Sequence, residues 1–582
     1  MRASRADLPG LRVASTTASV PPPTLADAEG STSVARAVAR TLVAGGVDTV
    51  FGVVGSGNFL LANELRDAGA SFYAARHECA AMMMADGYGR VSDRVAVCTT
   101  HQGPGFANAL TGLVEASKAR TPAVLLSADT PSATTWSNFK IDQAAIAREC
   151  GAIAERIHGP ATAIADTARA LQRTRAERLP VVLNVPIDLP GRTAGAATIP
   201  SRPAIGRPRP SADELEAVVA LLEACSFPLL VAGRGAVNSP GARARLEELG
   251  ACAGALLATT AMAHGLFSGL PYGLGIVGGF ASPVCVELVG QVDLVISLGA
   301  GLNHWTARHG ELFPAEARIV QIDVDPLAPG RLHRCDLGLV ADAATAASAI
   351  TGALRERGGA RTNARTAEVA EMIATRRWRD EPFDDESSAA YIDPRTLTIA
   401  LDDLLPAERT VVTDSGHFLG FPAQYLAVPD ERAFVFPNAF QSVGLGLGAA
   451  IGAAIARPDR LCVAALGDGG TMMALAELET AVRLGLSMAI VIYDDAAYGA
   501  EVHHFGPQGH AVDLTQFADA DFAAIGRAVG AASITVRAPQ DLAALRDWLV
   551  RRAGGAVGPI VIDAKVEPNV VAAWLEEAFR AH

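Results

Sequence analysis

Two acidic residues that follow apolar segments mark the part of this chain best suited to chemistry. Asp468 stands between Gly467 and Gly469 after the predicted strand 461–466, and Asp495 follows the next predicted strand, 488–493, with a predicted helix over 471–484 between them. Glycines after a strand let the backbone approach a diphosphate, and carboxylates are oxygen ligands for Mg²⁺. The pattern therefore predicts a β–α–β unit in which a second oxygen ligand meets the first.

Glu78 is a third acidic candidate, at a predicted corner between a strand over 71–75 and a helix over 79–88. An acid at the start of a helix interacts favourably with the helix dipole. Residue type and spacing alone therefore favour a structural role for this glutamate over a catalytic one.

Breaks in composition divide the chain into three domains. Residues 1–30 are rich in Ser, Thr, Ala and Pro without the apolar stretch of a secretion signal, which predicts a flexible tail. Two predicted linkers, 191–210 and 356–388, separate domains over 31–190, 211–355 and 389–582. Each domain alternates short apolar strands with amphipathic helices, which predicts an α/β fold with three doubly wound parallel sheets.

The composition is typical of a large enzyme rather than of a nucleic-acid-binding or membrane protein. With 582 residues, half of them hydrophobic, the chain can form several sizeable cores. Its formal net charge of −13 argues against nucleic acid as a partner, and the apolar run that ends at Ala456 is too short to cross a bilayer. Eight cysteines without CxxC pairing or metal-ligand spacing are typical of reduced thiols in a cytoplasmic protein.

The longer string that begins at Gly467 is more specific than its first three residues. It continues through Glu477, Leu478 and Thr480 to Tyr498 and Gly499. The string resembles the metal–diphosphate motif of thiamine diphosphate enzymes, in the superfamily of acetohydroxyacid (acetolactate) synthases, benzoylformate decarboxylase and benzaldehyde lyase. By this resemblance the three predicted domains are the family's pyrimidine-binding, central and diphosphate-binding domains, and the sites form between subunits of a homodimer or homotetramer.

The resemblance implies two cofactors, thiamine diphosphate and Mg²⁺. The implied metal ligands are the side chains of Asp468 and Asp495 and the carbonyl of Ala497. The implied cofactor-binding residues are Glu78, Gln441, Val443, Gly467, Asp468, Gly469, Gly470, Asp495, Tyr498 and Gly499. The family's usual paired asparagines are aspartates here, at 494 and 495. This extra negative charge should weaken diphosphate binding unless a helix dipole or basic groups offset it.

Three of these residues have implied roles in cofactor activation. Glu78 corresponds to the glutamate that protonates the aminopyrimidine, which then removes the thiazolium proton internally. The carbonyl of Gln441 accepts a hydrogen bond from the aminopyrimidine, and Val443 takes the place of the apolar wedge that bends the cofactor. A plain core valine is the alternative interpretation of Val443.

Substrate selection is expected from residues around the reactive carbon of the cofactor. By resemblance to benzoylformate decarboxylase, His101 is a candidate for proton transfer, and Ser56 and Gln102 belong to the substrate pocket. Lys140 could attract a substrate carboxylate, although a solvent-facing lysine is an equally good interpretation. His503 and His504 lie on the implied pocket-lining helix, and one of them is a second candidate for catalytic proton transfer. Adjacent helical residues point about 100° apart, so at most one of the two should face the cofactor.

The central domain argues against flavin adenine dinucleotide (FAD). Asn238 stands where a dinucleotide fingerprint that begins at Gly233 requires its third glycine. The arginine that acetohydroxyacid synthases keep for flavin and acceptor falls on Gly301. We therefore expect an enzyme without flavin.

The implied function is a carboligase or lyase acting on small carbonyl compounds. Its substrates would be 2-oxo acids such as pyruvate, or 2-hydroxyketones, and its products acyloins or acetohydroxy acids. The alternatives are a 2-oxo acid decarboxylase, a flavin-dependent oxidase and a non-catalytic scaffold.

Overall fold

The computed structural model describes residues 32–195, 206–360, 362–555 and 557–580. Within these ranges the chain forms three six-stranded sheets whose strand pairs are all parallel. Helices cover the sheets, so apolar strand residues are buried, as expected for parallel sheets with two covered faces. The predicted α/β class with three parallel-sheet domains is confirmed.

The first sheet belongs to the N-terminal domain and has the strand order β2-β1-β3-β4-β6-β5. Its strands are β1 (Thr49–Gly52), β2 (Ser71–Ala74), β3 (Ala96–Thr100), β4 (Ala123–Asp129), β5 (Ile153–Arg156) and β6 (Val181–Pro186). Its helices are α1 (Val34–Ala44), α2 (Phe59–Asp67), α3 (Glu78–Ser92), α4 (Pro104–Asn108), α5 (Leu110–Lys118), α6 (Gln143–Glu149) and α7 (Ala163–Glu177).

The second sheet forms the central domain, with the order β12-β11-β10-β7-β8-β9. Its strands are β7 (Pro228–Ala232), β8 (Leu256–Thr259), β9 (Gly273–Ile276), β10 (Leu294–Leu298), β11 (Arg318–Asp323) and β12 (Leu337–Val340). Its helices are α8 (Ala212–Ala224), α9 (Arg234–Val237), α10 (Ala242–Cys252), α11 (Pro283–Val289), α12 (Ala343–Glu356) and α13 (Ala367–Thr375).

The third sheet forms the C-terminal domain, with the order β14-β13-β15-β16-β18-β17. Its strands are β13 (Arg409–Thr413), β14 (Phe434–Val435), β15 (Leu461–Gly467), β16 (Met488–Asp494), β17 (Ala532–Val536) and β18 (Ile560–Lys565). Its helices are α14 (Pro394–Leu404), α15 (Gly420–Tyr425), α16 (Gly446–Ala456), α17 (Asp468–Met473), α18 (Glu477–Arg483), α19 (Gly499–Phe505), α20 (Phe522–Val529), α21 (Ala543–Ala553) and α22 (Leu575–Phe579).

Two sequence predictions differ from the structure in detail. The helix predicted over 471–484 is divided into α17 and α18. The predicted linker 356–388 contains α13, in which Val369, Met372 and Ile373 pack against the core of the central domain. These three residues have helical spacing, so a few apolar side chains are enough to hold an otherwise charged segment. The predicted tail, 1–30, and the middle of the first predicted linker, 196–205, lie outside the described residues.

Among the described residues, no helix is both long and apolar enough to cross a bilayer.

Helices α3 and α16 join the N-terminal and C-terminal domains through unusually close packing. An added Cβ at Gly87 would lie 2.1 Å from the Ala449 carbonyl oxygen, and one at Gly452 would lie 2.0 Å from the Met84 carbonyl oxygen. Real Cβ atoms do not approach backbone oxygens so closely, so the two helices can pack this way only with glycine at these positions.

We predict that Gly452→Ala destabilises the protein. The added methyl group would force the two helix backbones apart, and such overpacking typically costs about 1–3 kcal/mol. The matched control is Gly352→Ala in α12, where an added Cβ meets no atom within 4 Å among the described residues. The control should be neutral or stabilising by up to about 1 kcal/mol. Urea denaturation of the two variants measures the difference, and equal midpoints would contradict the prediction.

His264 is a buried titratable group at the boundary between the central and C-terminal domains. Both ring nitrogens are buried, and the ring packs edge-to-face on Phe434 with 5.0 Å between centroids. Burial lowers the pKa of His264 from 6.5 to about 4, against a weaker opposing effect of the Leu426 backbone. The folded protein therefore holds this imidazole uncharged near neutral pH.

This histidine should make the protein less stable in acid. Its contribution is complete above pH about 6.5 and is lost as the pH falls toward 4, because the unfolded chain takes up the proton first. A shift of this size corresponds to roughly 3 kcal/mol at most. Measured by denaturation at pH 7 and pH 5, His264→Leu should lose less stability than the wild type, while His510→Gln, at an exposed position, should follow the wild type. Equal losses in all three proteins would refute this assignment.

Candidate active site

The glycines around Asp468 lie at the carboxyl end of β15, and a different side chain packs against each of them. An added Cβ at Gly467, Gly469 and Gly470 would lie 2.9, 2.5 and 2.3 Å from the nearest atoms, which belong to Phe418, Tyr498 and Asp414. Tyr498 thus covers Gly469, and its own ring packs on Phe517 with 5.0 Å between centroids. The backbone of this loop runs directly against its neighbours, so larger residues do not fit here.

Asp468 and Asp495 form a pair of acidic groups at the ends of adjacent strands, since β15 and β16 pair with Gly467 opposite Tyr493. Burial, and then the charges of Asp495 and Asp494, raise the pKa of Asp468 to about 8. Burial and then Asp494 raise the pKa of Asp495 to about 7, although the Ala497 N–H lowers it. Two mutually repelling carboxylates in a buried position are stabilised by a cation, so this pair fits a divalent metal ion.

The two neighbouring aspartates have different surroundings. Asp494 is 2% exposed, and the Lys565 Nζ donates to its Oδ2 at 2.5 Å. Lys565 also donates to Asp519 and lies 3.1 Å from the buried Asp563. Burial alone would lower the pKa of Lys565, but these carboxylates raise it above its ordinary value. Lys565 therefore offsets the charge of Asp494, whereas Asp495 forms the acidic pair with Asp468.

Ala497 provides a main-chain oxygen beside this pair. The chain turns at Ala496, which has a φ of 55°, and the neighbouring Ala496 carbonyl and Tyr498 N–H bond to the segment 515–517. No hydrogen bond to the Ala497 carbonyl occurs among the described residues. An added Cβ at Gly499 would lie 2.5 Å from Asp495 Oδ2, so Gly499 leaves room for this carboxylate. Two carboxylates and one carbonyl thus make up the candidate ligand set.

Asp414 is a site residue that the sequence analysis missed. It is 1% exposed and accepts hydrogen bonds from the backbone N–H groups of Ser415, Gly444 and Leu445. These bonds fix the turn that carries Gln441 and Val443 beside Gly470. Asp414 could have been found, because like Asp468 it follows an apolar strand and precedes a glycine by a few residues.

The turn itself has a strained backbone. Gln441 has a φ of 63°, which is uncommon for a residue other than glycine, and its carbonyl accepts a long hydrogen bond of 3.4 Å from the Ser415 hydroxyl. Val443 Cγ1 lies 3.3 Å from the position of an added Cβ at Gly470. Val443 is thus held against the glycine loop rather than in a distant core.

Glu78 begins α3 and lies in the N-terminal domain. Its Oε2 accepts from the Asn108 side chain at 3.0 Å, and its Oε1 lies 3.1 Å from the position of an added Cβ at Gly105. The preceding Arg76 and His77 N–H groups donate to Glu477 of the C-terminal domain, at 3.0 and 2.9 Å. Glu477 therefore fixes the strand-to-helix corner, a role that the sequence analysis did not assign.

His101 and Gln102 lie on the loop after β3. His101 Nδ1 accepts from the Gly57 N–H at 3.0 Å, so in the neutral ring the proton is assigned to Nε2, which can donate it. Gln102 is 3% exposed, and its Oε1 has no hydrogen-bond partner among the described residues. A buried acceptor without a partner is costly unless a ligand or water satisfies it.

The other two predicted pocket residues are exposed. Ser56 lies on the surface of the loop before α2. The Lys140 amine donates to the carbonyls of Thr134 and Thr135, so it holds its own loop. In the single chain Lys140 therefore faces solvent, as the second of the two interpretations predicted.

His503 and His504 point in different directions, as helical spacing requires. The His504 ring stacks on Phe579, with 3.9 Å between centroids, whereas the His503 ring lies 4.4 Å from that of His417. His417 was missed by the sequence analysis. Its Nδ1 lies 3.4 Å from the position of an added Cβ at Gly499, next to Asp495 Oδ2. Of the two adjacent histidines, His503 is therefore the one that contacts His417, which lies next to Asp495.

The His417–His503 pair is uncharged near neutral pH. Burial, and then the charge of His503, lower the pKa of His417 to about 3, and burial lowers the pKa of His503. The Ala572 N–H donates to His417 Nε2 at 2.7 Å, so the ring proton is assigned to Nδ1 on the side of Gly499. The pair therefore offers neutral N–H donors.

The Lys565 cluster gives a prediction for stability. Lys565→Met should destabilise the protein by about 3–5 kcal/mol, because Asp494 and Asp563 are left buried without a cation. The double variant Lys565→Met with Asp494→Asn should regain part of this loss, since one buried charge is removed with its partner. Denaturation of the wild type, the two single variants and the double variant measures the coupling. Simple additivity of the two single effects would contradict it.

Comparisons with known proteins agree with this geometry. Sequence models of the thiamine pyrophosphate enzymes match in chain order: the N-terminal TPP binding domain at residues 32–146, the central domain at 215–350 and the C-terminal TPP binding domain at 414–564. The matched segments contain Glu78 in the first domain and Asp414, Asp468 and Asp495 in the third. The candidate site residues therefore fall in the two domains described as TPP-binding.

Three named relatives extend over most of the chain. Sulfoacetaldehyde acetyltransferase of Alcaligenes xylosoxydans xylosoxydans is 28% identical, with 87% of this chain and 88% of the relative covered. A protein of Pseudomonas aeruginosa named probable 2-ketoarginine decarboxylase is 30% identical, with 91% and 93% covered. The acetolactate synthase isozyme 2 large subunit of Escherichia coli is 26% identical, with 80% and 83% covered. The chain thus belongs to the thiamine pyrophosphate enzyme family, and it is a thiamine diphosphate-dependent enzyme of carbon–carbon bond chemistry.

Proposed function

We propose that this enzyme is a Mg²⁺-dependent carboligase or lyase that acts on 2-oxo acids such as pyruvate, or on 2-hydroxyketones. Its products would be acyloins or acetohydroxy acids. The names of two relatives, an acetyltransferase and an acetolactate synthase, support transfer of a carbon unit to a second molecule. Bound thiamine diphosphate would add to the substrate carbonyl and stabilise the negative charge left when a carbon–carbon bond breaks.

The residues that would hold the cofactor are divided between two domains. Asp468, Asp495 and the Ala497 carbonyl would bind Mg²⁺ and, through it, the diphosphate. The Gln441 carbonyl would orient the aminopyrimidine, and Val443 would support the bent cofactor. The position of these two carboxylates at the ends of adjacent strands supports the metal assignment, because a divalent ion would offset the burial and the repulsion that raise the pKa of Asp468.

Glu78 would hold a proton at the aminopyrimidine, and it would do so across a subunit interface. In the single chain its recorded contacts, Asn108 and Gly105, come from its own domain. Large apolar side chains are exposed near both half-sites: Val54, Phe59, Leu60 and Trp136 in the N-terminal domain, and Phe440, Met472 and Met473 in the C-terminal domain. A second copy of the chain would bury them, which supports a homodimer or homotetramer.

The arrangement that supports carboligation is the His417–His503 pair, in which His417 lies next to Asp495 and burial disfavours protonation of both rings. A decarboxylase needs a protein group that delivers a proton to the substrate-derived carbon, whereas a carboligase must keep protons from it until a carbonyl compound arrives. Burial keeps His417 and His503 neutral, and a neutral imidazole is a much weaker acid than an imidazolium. His101, through its Nε2–H, would then orient the acceptor carbonyl.

Of the two product classes, acyloins are favoured, because the acceptor is proposed to be an uncharged compound such as an aldehyde. No flavin is proposed. Gly301 occupies the place of the acceptor arginine, and the Lys140 amine holds its own loop. The loop after β7 packs closely against the residue that follows β10, since an added Cβ at Gly233 would lie 2.4 Å from the Gly299 carbonyl oxygen. These features support a substrate pocket that lacks a side-chain cation to bind the carboxylate of a second 2-oxo acid.

A 2-oxo acid decarboxylase is the second candidate. The relative named 2-ketoarginine decarboxylase favours it. In this case His101 would deliver the proton through Nε2.

The test is incubation of the purified enzyme with Mg²⁺, thiamine diphosphate and ¹³C-labelled pyruvate, followed by NMR with and without an aldehyde acceptor. We expect a condensed hydroxyketone as the main product when the acceptor is present. Free acetaldehyde at a rate independent of acceptor would establish the decarboxylase instead. Absence of cofactor-dependent turnover with 2-oxo acids and 2-hydroxyketones would reject both.

Two variants tie the activity to the proposed site. Glu78→Gln should bind the cofactor normally and lose activity by about 10²–10⁴-fold, the range for loss of a positioned proton-transfer group. Asp468→Ala should lose cofactor binding itself, measured by calorimetry. Glu316→Gln, at an exposed position, is the control and should behave as the wild type. An active Glu78→Gln enzyme would remove Glu78 from the mechanism.

A further inference from the structure

Arginines from all three domains line a cleft at the junction of these domains. The cleft has a volume of about 40 Å³, and five of the residues that line it are arginines: Arg90, Arg120, Arg178, Arg234 and Arg432. One lining residue, Glu431, is acidic. A second cleft of about 230 Å³ shares Gly89, Pro122 and Arg178 with the first and adds Arg94, Arg175 and the acidic Asp93. We call the first of these the arginine cleft.

Arg90 is neutralised by the protein. Its guanidinium lies 2.8 Å from Asp86 and 2.6 Å from Glu115, and both carboxylates are buried. Its remaining amine donates to the Phe436 carbonyl at 2.8 Å. Arg90 therefore belongs to the structure of the junction and leaves little capacity for a ligand.

The other four arginines differ in how far carboxylates neutralise them. Arg120 pairs with Asp325 at 2.9 Å, whereas Arg178 and Arg432 share the exposed Asp93 at 3.4 and 3.6 Å. Arg432 also donates to the carbonyls of Arg90 and Val237, each at 3.0 Å. Arg234 donates to the Lys118 carbonyl, and no carboxylate in the described part of the chain lies within 4.0 Å of its guanidinium. These four arginines thus face fewer carboxylates, namely Asp325, Asp93 and the lining Glu431, so positive charge is in excess around the cleft.

The electrostatics of Arg234 reflect this excess. Burial, followed by repulsion from Arg120 and Arg90, lowers the pKa of Arg234 to about 10. Burial also lowers the pKa of Arg178, where Asp93 opposes the shift and Arg432 adds to it. An anion among these groups would relieve the repulsion.

The backbone around the cleft is strained in the same place. Asp93, Arg120 and Arg178 have φ values of 56°, 52° and 50°, and they lie one or two residues after the ends of α3, α5 and α7. Glycine adopts this conformation at helix ends without strain, yet the chain has charged residues at all three positions. The favourable interaction of basic residues with helix C-termini accounts for Arg120 and Arg178. It does not account for Arg234, which begins α9.

We infer that the arginine cleft binds a phosphate-bearing anion, held by Arg120, Arg178, Arg234 and Arg432. Guanidinium groups match phosphate oxygens with paired, charge-assisted hydrogen bonds, and a dianion would offset the excess charge. Because its ligands come from three domains, the bound anion holds these domains together. The site is separate from the acidic pair at Asp468 and Asp495, which would take a cation.

The experiment uses the holoenzyme with saturating Mg²⁺ and thiamine diphosphate, so that the diphosphate subsite is already filled. Calorimetry and thermal unfolding follow the addition of pyrophosphate, inorganic phosphate and ADP, with sodium chloride at the same ionic strength as the reference. We expect saturable binding of at least one phosphate compound and a rise in the unfolding temperature that the chloride control does not give. Absence of saturable binding for all three would overturn the inference.

Variants locate the binding. Arg178→Gln and Arg234→Gln should each weaken it at least tenfold, whereas Arg357→Gln, at an exposed ion pair with Glu216 and Glu223, should leave it within twofold. Undiminished binding in both cleft variants would overturn the assignment. If Arg234→Gln fails to fold, Arg178→Gln still decides the question. Tighter binding of ADP than of pyrophosphate would identify a nucleotide as the source of the phosphate groups, and the reverse order a free phosphate compound.

Discussion

The close packing of α3 on α16 is the constraint on which the rest of this molecule depends. With glycine at Gly87 and Gly452, the two helix backbones approach until a methyl group no longer fits between them. Both helices begin at functional segments, because α3 starts with Glu78 and α16 follows the turn that carries Gln441. The packing therefore fixes the segment that carries Glu78 relative to the segment that carries Gln441 within one chain. Such an interface has one geometry, because at these glycines no flexible side chain lies between the backbones.

Hydrogen bonds between the N-terminal and C-terminal domains supplement this apolar packing and fix its orientation. Glu477 accepts the N–H groups of Arg76 and His77 just before α3 begins. Glu115 accepts the N–H groups of Ala439 and Phe440 just before the turn at Gln441, at 3.2 and 2.7 Å. Each acid crosses from one domain to the backbone of the other at the corner that carries a site residue. Buried carboxylates that bind backbone N–H groups are costly to displace, so these corners are rigid.

The sequence predicted the strands and the acids that end them, because both depend on local pattern. Asp468 and Asp495 could be found from their positions after apolar segments, and the parallel sheets followed from the alternation of elements. The partners of these acids could not be found in this way. Lys565 neutralises Asp494 from a strand that is adjacent in the sheet but distant in sequence. His417 likewise acquires its place beside Gly499 and His503 from tertiary contacts, which no local spacing encodes.

Helix α3 also connects the two charged regions of the molecule. Glu78 begins the helix at the candidate active site, and Arg90 lies in its last turn at the arginine cleft, where its guanidinium also binds Glu115. A hydrogen-bonded path thus runs from the cleft through Arg90 and Glu115 to the backbone of Phe440, next to the turn at Gln441. Regulation along this path would need two alternative arrangements of its elements. Since α3 is locked by backbone contact with α16, an anion in the cleft is expected to stabilise a single arrangement rather than to switch between two.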